Sequence, residues 1–246
     1  MENQKEISIR LKDVSKTFNI YDQTFHTVKA RILNIFKKNK VKKILAVKNV
    51  NVDIYKGECI GIIGRNGSGK TTLTKLMSGA FVPDKGGEIV KIGNSLLLSL
   101  GVGFSHELTA RENIYVNGST LGLRIKEIDE IFYEVIAFAE LEEFIDTKIK
   151  YYSSGMIQRL SFSIAIYAKA DIMFLDEVFA VGDMKFKKKA TTVLEKSWIK
   201  GRTAIIVSHS TALIERYCDR TILMHKGEMI YFGDTKAATE KYGQLD

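Results

Sequence analysis

The first fifth of the chain contains two stretches in which apolar and polar residues alternate. Residues 7–14 and residues 50–54 both follow this pattern, which is typical of strands with one face in water. We predict that they form two edge strands. Phe18 and Tyr21, which follow the first stretch among polar residues, are predicted to lie in a loop.

Further along, short apolar runs are continuous rather than alternating. Such runs predict strands that are buried on both faces, as in parallel sheets covered by helices. Helical patterns separate these strand candidates, and this order favours a mostly parallel sheet. The candidates are residues 59–63, 95–100, 172–175, 203–207 and 221–224, followed by a hairpin through Lys226, Gly227 and Glu228 into residues 230–232 and a short helix at residues 236–242.

A long helical segment interrupts the strand candidates. Ile128, Phe132, Val135 and Ala139 recur with the spacing of one helix face, which indicates ordinary core packing. We therefore predict a helical sub-domain at about residues 106–170 inside a single α/β domain that spans residues 1–246.

The strand at residues 59–63 ends in a glycine-rich turn that fits the pattern G-x-x-x-x-G-K-[ST]. Glycines allow the backbone N–H groups to surround phosphate oxygens, and the following helix N-terminus adds positive potential. Lys70 can then reach the β- and γ-phosphates, and the Thr71 hydroxyl can bind Mg²⁺. The alternative, a turn that binds nothing, does not explain a strand before and a helix after. The predicted nucleotide-binding residues are Gly64, Arg65, Asn66, Gly67, Ser68, Gly69, Lys70, Thr71 and Thr72.

Two acidic residues follow the apolar run at residues 172–175. At the carboxyl edge of a parallel sheet, Asp176 would hold Mg²⁺ mostly through water, and Glu177 would polarise the attacking water as a general base. An apolar run that ends in an acid is common by chance, so this prediction depends on the phosphate loop. His209 follows the strand at residues 203–207. A lone histidine is usually structural, but at this position it is a candidate sensor of the γ-phosphate.

A second candidate anion site lies at residues 152–156, which read YSSGM and begin a helix. Ser153 is a suitable N-cap, and the backbone N–H groups of Ser154 and Gly155 would be exposed beside it. On physical grounds alone, the segment could be nothing more than a capped helix.

The chain carries a formal net charge of +8, which favours an anionic partner. Seven basic residues and no acid lie between Lys29 and Lys43, beside one apolar helix face at residues 28–36. This insertion, about residues 22–43, is either a solvated charge run or an amphipathic helix against a membrane or a membrane partner. No window approaches the roughly 18 apolar residues of a membrane span, and the first ten residues contain no apolar signal segment.

Taken together, the phosphate loop, YSSGM, FLDE at residues 174–177 and Ser208-His209 resemble the nucleotide-binding subunit of ABC transporters, over nearly the whole chain. That family usually has LSGGQ where this chain has YSSGM. The YSSGM form, the insertion between Phe18 and Ala46, and LGVGF at residues 100–104 with ELT at residues 107–109 resemble the branch that exports polysaccharides such as teichoic acid, O-antigen or capsule.

The resemblance implies a P-loop NTPase fold: a RecA-like, mostly parallel sheet with an antiparallel β sub-domain and a helical sub-domain. It also implies ATP and Mg²⁺ as cofactors, with Phe18 or Tyr21 stacking on adenine. Ser153, Ser154 and Gly155 would contact the ATP of a second copy in a head-to-tail homodimer, which residues 180–183 would cross. The partners would be separate transmembrane permease subunits at the cytoplasmic face of the membrane, through which the polysaccharide passes.

The chain departs from the family pattern in two places. The family's glutamine loop is represented by Ser105, His106 and Glu107, without a glutamine, and Val178 replaces the usual proline. The rival interpretations are an ABC-type ATPase that acts on nucleic acid, an exporter of a drug, lipid or ion, and a generic phosphate-loop kinase. The first usually has long coiled-coil insertions or two ATPase domains, and the last does not explain YSSGM. We therefore expect no nucleic-acid partner.

Overall fold

The computed structural model describes residues 6–21, 41–98, 103–176, 183–199 and 201–245. Within these residues, nine strands form one sheet in the order β4-β1-β2-β9-β8-β3-β7-β6-β5. The strands are β1 (Ile7–Tyr21), β2 (Val41–Tyr55), β3 (Cys59–Gly64), β4 (Glu88–Lys91), β5 (Ser95–Leu98), β6 (Ile172–Asp176), β7 (Thr203–Val207), β8 (Arg220–His225) and β9 (Glu228–Asp234).

The described helices connect these strands. They are α1 (Lys70–Ser78), α2 (Ala110–Thr120), α3 (Ile125–Ala139), α4 (Ser154–Ala165), α5 (Met184–Leu194), α6 (Thr211–Tyr217) and α7 (Thr235–Gly243). Two short 3₁₀ turns, Glu142–Phe144 and Ile149–Tyr151, precede α4, and a π-helical turn, Glu195–Ile199, follows α5.

Strands β5, β6, β7, β3 and β8 are parallel, as the continuous apolar runs predicted. Their side chains enter two cores on opposite faces of the sheet. Ile172 and Phe174 of β6 face the core that contains α1, whereas Met173 and Leu175 face the core that contains α4 and α5. Because helices cover both faces, alternation disappears from the sequence of these strands.

The antiparallel part joins this sheet at β9, which forms the predicted hairpin with β8. Two predictions are wrong here. Phe18 and Tyr21 lie in β1 rather than in a loop, since β1 continues to Tyr21 along β2. Moreover, β1 and β2 are interior strands, because β4 pairs with β1 and occupies the edge.

The helices between residues 110 and 165 form a core of their own, and the helix face with the 3.6-residue period packs in it, as predicted. Ile128, Phe132 and Val135 of α3 are buried in it. Helix α4 connects this core to the sheet. Its Leu160 belongs to the helical core, and its Phe162 packs beneath the sheet.

Some predictions concern residues that the structure does not describe. The amphipathic helix at residues 28–36 and nearly all of the predicted insertion lie outside the described residues, as do Glu177, Val178 and residues 180–182. No helix among the described residues is long and apolar enough to cross a membrane.

The close packing of β3 against its neighbours gives a testable prediction. A methyl group on Gly61 would lie 2.7 Å from Thr221 Oγ1 and 2.8 Å from Ile214 Cγ2. Gly61→Ala should therefore lower the free energy of unfolding by about 1–3 kcal/mol, which is typical of overpacked cores. Urea unfolding of the purified protein measures this loss.

The matched control is Gly243→Ala, at the end of α7, where a methyl group has open space. It should leave the unfolding midpoint unchanged or slightly higher. If both variants unfolded at the wild-type midpoint, β3 would not be as tightly packed as described.

Candidate functional site

The glycine-rich turn between β3 and α1 has a backbone that requires glycine. Gly67 and Gly69 have φ angles of +77° and +102°, in the region that L side chains rarely adopt. Gly69 is also the N-cap of α1, and its conformation is left-handed. The turn thus has the shape expected of a loop whose backbone N–H groups point to one side.

Three other parts of the chain hold this loop in place. A methyl group on Gly64 would lie 2.3 Å from the Met224 carbonyl oxygen in β8, and one on Gly69 would lie 2.4 Å from the Ala46 carbonyl oxygen in β2. The N–H of Gly227 donates to the Ser68 carbonyl at 2.9 Å. Backbone contacts therefore fix the loop, and they leave no room for a side chain at position 64 or 69.

Positive groups converge at the mouth of the loop. Lys70 is 7% exposed, and its Nζ donates to the carbonyls of Gly64 at 2.7 Å and Arg65 at 3.1 Å. Helix α1 has neither a side-chain N-cap nor an acid in its first turn. Its N-terminal N–H groups and the lysine therefore favour a bound anion, and a phosphate group fits this set of donors.

The loop forms one wall of a cleft of about 630 Å³. Asp176 at the end of β6 and His209 just after β7 line the same cleft, because β6 and β7 are neighbours whose carboxyl ends meet there. The structure thus brings the predicted loop, acid and histidine together. The cleft is also lined by Asn66, Gly67, Ser68, Gly69, Lys70, Thr71 and Thr72.

A magnesium ion fits the side chains of this cleft. The Thr71 hydroxyl and the Asp176 carboxylate both line it, and oxygen is the ligand that Mg²⁺ prefers. The described residues contain no group of three or more His, Cys, Asp or Glu side chains that could hold a metal ion. A cation here would therefore take most of its ligands from phosphate and water, as is usual for Mg²⁺.

Residues outside the predicted motifs also line the cleft, namely Ile44, Leu45 and Ala46 of β2 and the turn at Lys226 and Gly227. Ile44 and Leu45 are 39% and 46% exposed. These apolar side chains suit the flat face of a nucleobase. The spacing of Ile44 and Leu45 in the sequence does not indicate a binding site. Their role becomes visible only from the position of β2 beside the loop.

Of the two aromatic residues predicted to stack on adenine, the structure describes only the ring of Phe18. It lies opposite Ile44 in the register of β1 and β2, and it packs edge-on against Phe81 with ring centroids 5.6 Å apart. Phe18 does not line the cleft itself. The side chain of Tyr21 lies outside the described set.

The second candidate anion site lies at the N-terminus of α4. Ser153 is the N-cap, as predicted, and its Oγ accepts from the Met156 N–H at 3.2 Å. Ser153 and Ser154 are exposed, and no acid lies in the first turn. None of Ser153, Ser154 and Gly155 lines the cleft of the phosphate loop. The two anion sites of one chain are therefore separate.

Tyr152 anchors this end of α4 to the helical core. The ring is buried, and its hydroxyl donates to the Phe144 carbonyl at 2.7 Å. Burial raises the pKa of Tyr152 to about 12, so the phenol stays protonated in neutral solution.

Between β5 and α2, Ser105, His106 and Glu107 stand where the resemblance implied a glutamine loop. Glu107 lies between two ammonium groups, Lys148 Nζ at 3.4 Å and Lys150 Nζ at 3.1 Å. Hydrogen bonds from Lys150 and then from Lys148 hold the pKa of Glu107 below its usual range. None of these three loop residues lines the cleft.

Comparison with known proteins agrees with this geometry. A family model described as "ABC transporter" matches residues 47–180. The teichoic acids export ATP-binding protein TagH of Enterococcus faecalis is 40% identical over 97% of this chain, which spans 53% of that protein's length. The O-antigen export system ATP-binding protein RfbB of Klebsiella pneumoniae is 38% identical, with 96% of this chain and 97% of that protein aligned.

Solved structures share the fold. An ATP-binding subunit of an ABC transporter has a TM-score of 0.73 and 20% identity, covering 96% of this chain and 93% of that one. A dimeric, post-hydrolysis ATP-binding cassette, MJ0796 bound to ADP and Pi, has a TM-score of 0.69 and 23% identity, covering 92% and 98%.

A single methyl group added to the phosphate loop tests whether this loop binds nucleotide. Gly69→Ala would place that group against the Ala46 carbonyl and should weaken nucleoside triphosphate binding by about tenfold or more, or roughly 1.4 kcal/mol. Equilibrium titration with a fluorescent triphosphate analogue measures the change.

Gly86→Ala is a matched control, because Gly86 has nearly the same φ, +101°, but open space around it. Backbone strain should lower the stability of both variants, whereas only Gly69→Ala should lose affinity. Equal affinity of the two variants would contradict the site.

Proposed function

The chain belongs to the ABC transporter family, and from this we propose that it is the ATP-hydrolysing subunit of an exporter of teichoic acid or O-antigen type polysaccharide. One observation carries the ATPase part: the phosphate loop, Asp176 and His209 meet in a single cleft. The polysaccharide part is supported by the printed names of relatives that align with nearly the whole chain.

ATP would bind with its phosphates against the loop and the N-terminus of α1. The Lys70 ammonium, which donates to the Gly64 and Arg65 carbonyls of the loop, would then bind the β- and γ-phosphates. Thr71 and Asp176 would hold Mg²⁺, which neutralises phosphate charge when bound.

Hydrolysis needs a base and a contact to the γ-phosphate. Glu177, which follows Asp176 in the chain, would take a proton from the attacking water. His209 follows β7, the neighbour of β6, and lines the cleft, where its imidazole would donate to the γ-phosphate. The carboxylate and the imidazole would thus act at the same phosphoryl group.

A second copy of the chain would complete the site. The α4 N-terminus is exposed and offers the Ser153 hydroxyl and the first-turn N–H groups, yet it does not reach the cleft of its own chain. A head-to-tail homodimer would place Ser153, Ser154 and Gly155 of one subunit against the γ-phosphate held by the other. The dimeric form of a cassette with the same fold supports this arrangement.

The cargo would pass through separate transmembrane permease subunits, with this chain at the cytoplasmic face of the membrane. This assignment is supported by the relatives, whose names describe the ATP-binding proteins of export systems. The basic insertion at residues 22–43 would lie against the permease or the anionic leaflet, where each lysine or arginine contributes about 1 kcal/mol.

Glu177→Gln tests the proposed chemistry. The amide keeps the size of the side chain but cannot take a proton, so ATP should still bind while turnover falls by a factor on the order of 10² to 10⁴. Phosphate release from the purified protein and nucleotide titration give the two values. In cells that depend on this exporter, the same substitution should abolish the surface polymer.

Glu143→Gln is the control, since Glu143 is an exposed acid in a 3₁₀ turn of the helical part. It should leave both turnover and export unchanged. Near wild-type turnover of Glu177→Gln would exclude the assigned base. If cells with Glu177→Gln still displayed normal surface polymer although the variant hydrolysed no ATP, the polysaccharide would not be the cargo.

A further inference from the structure

Residues 106–109, which precede α2, and residues 148–150, which precede α4, run side by side. The Lys150 N–H donates to the His106 carbonyl at 3.1 Å, and the Ile149 N–H donates to the Leu108 carbonyl at 3.0 Å. Thr109 and Lys148 form an isolated antiparallel bridge. These backbone bonds tie the two segments together over several residues.

Glu107 adds a charged connection to this pair of segments. Its carboxylate accepts from Lys148 Nζ at 3.4 Å and from Lys150 Nζ at 3.1 Å. The Lys150 side chain is 37% exposed, against 69% for Glu107, so the lysine is the better packed of the two. One acid thus holds two lysines that are two positions apart in the chain.

The segment that Glu107 holds leads directly into the second anion site. Lys150 is the middle residue of the 3₁₀ turn Ile149–Tyr151, and the buried Tyr152 and the N-cap Ser153 come next. The direction of the first N–H groups of α4 therefore depends on where this turn lies. A displacement of Lys150 would therefore also displace the anion site at Ser153, which lies three residues further along the chain.

In the other direction along the chain, residues 99–106 connect Glu107 to β5. Strand β5 pairs in parallel with β6, and β6 ends at Asp176 in the cleft. The segment that Glu107 holds against Lys148 and Lys150 therefore follows, in sequence, the strand beside Asp176.

We propose that Glu107 is a positioning residue, which ties the loop after β5 to the N-terminus of α4 through Lys148 and Lys150 and does not bind the metal ion. The proposal rests on the proposed function, in that α4 binds the triphosphate of a partner subunit. It also explains how the chain functions without a glutamine in this loop: the acid fixes the second anion site and leaves the cation to Thr71 and Asp176.

The size of the expected effect follows from the exposure of the pair. Exposed ion pairs contribute little individually, and salt screens them. Glu107→Lys places three positive side chains together and should lower kcat about fivefold at low ionic strength, a factor typical of a single surface interaction. Nucleotide affinity at the cleft should stay unchanged, because Glu107 does not line it.

A charge swap separates positioning from general damage. Glu107→Lys and Lys150→Glu should each lower kcat, and the double variant should recover to within about twofold of wild type. Hydrogen exchange of the amides at residues 148–152, measured without nucleotide, should be faster than in wild type in each single variant. In the double variant it should return to the wild-type rate. Glu143→Lys makes the same charge change on an exposed acid of the 3₁₀ turn Glu142–Phe144 and should alter neither measurement.

Several outcomes would overturn the proposal. Unchanged exchange at residues 148–152 in Glu107→Lys would show that the ion pairs do not hold the segment. Failure of the double variant to recover would show that the charges do not act as a pair. A higher Mg²⁺ requirement in Glu107→Gln would identify Glu107 as a metal ligand instead. Failure of the proposed function would appear separately, as a wild-type protein without ATPase activity, while the exchange measurement would still test the link.

Discussion

The structure depends on the close approach of three backbone segments around the phosphate loop. The Met224 and Ala46 carbonyls lie where side chains of Gly64 and Gly69 would be, and the Gly227 N–H binds the Ser68 carbonyl. The loop is thereby held in one conformation before any ligand arrives. A phosphate therefore binds without the entropic cost of ordering the loop, which is the advantage of a preorganised site.

The sheet then determines which side chains can act on the bound phosphate. Strands β6 and β7 are adjacent, so Asp176 and His209 come to the same edge as the loop, although they are far from it in sequence. The α4 N-terminus, like the α1 N-terminus, has no acid in its first turn, but it is capped by Ser153 and belongs to the helical core. The α4 N-terminus does not line the cleft, and this separation is the physical basis of the proposed dimer.

The sequence predicted those features that depend on local pattern. Continuous apolar runs identified the parallel strands, and residue types at fixed spacing identified the loop and the Ser153 cap. Features that depend on register were missed. Strand β4 has only four residues and a charged residue at each end, so its sequence shows no alternation of apolar and polar residues that would predict a strand. Ile44 and Leu45 reach the cleft only because β2 passes beside Gly69. Glu107 was noted as a departure, but its lysine partners lie about 40 positions away in the chain.

The central claim is that one chain carries two separate halves of an ATP site. Sedimentation velocity of the Glu177→Gln protein, with and without saturating ATP and Mg²⁺, tests it most directly, because bound ATP then persists. Two separate half-sites predict a monomer without nucleotide and a dimer with ATP, while ADP, which lacks the γ-phosphate, should leave a monomer. A protein that binds ATP and yet sediments as a monomer at every concentration tested would contradict the claim.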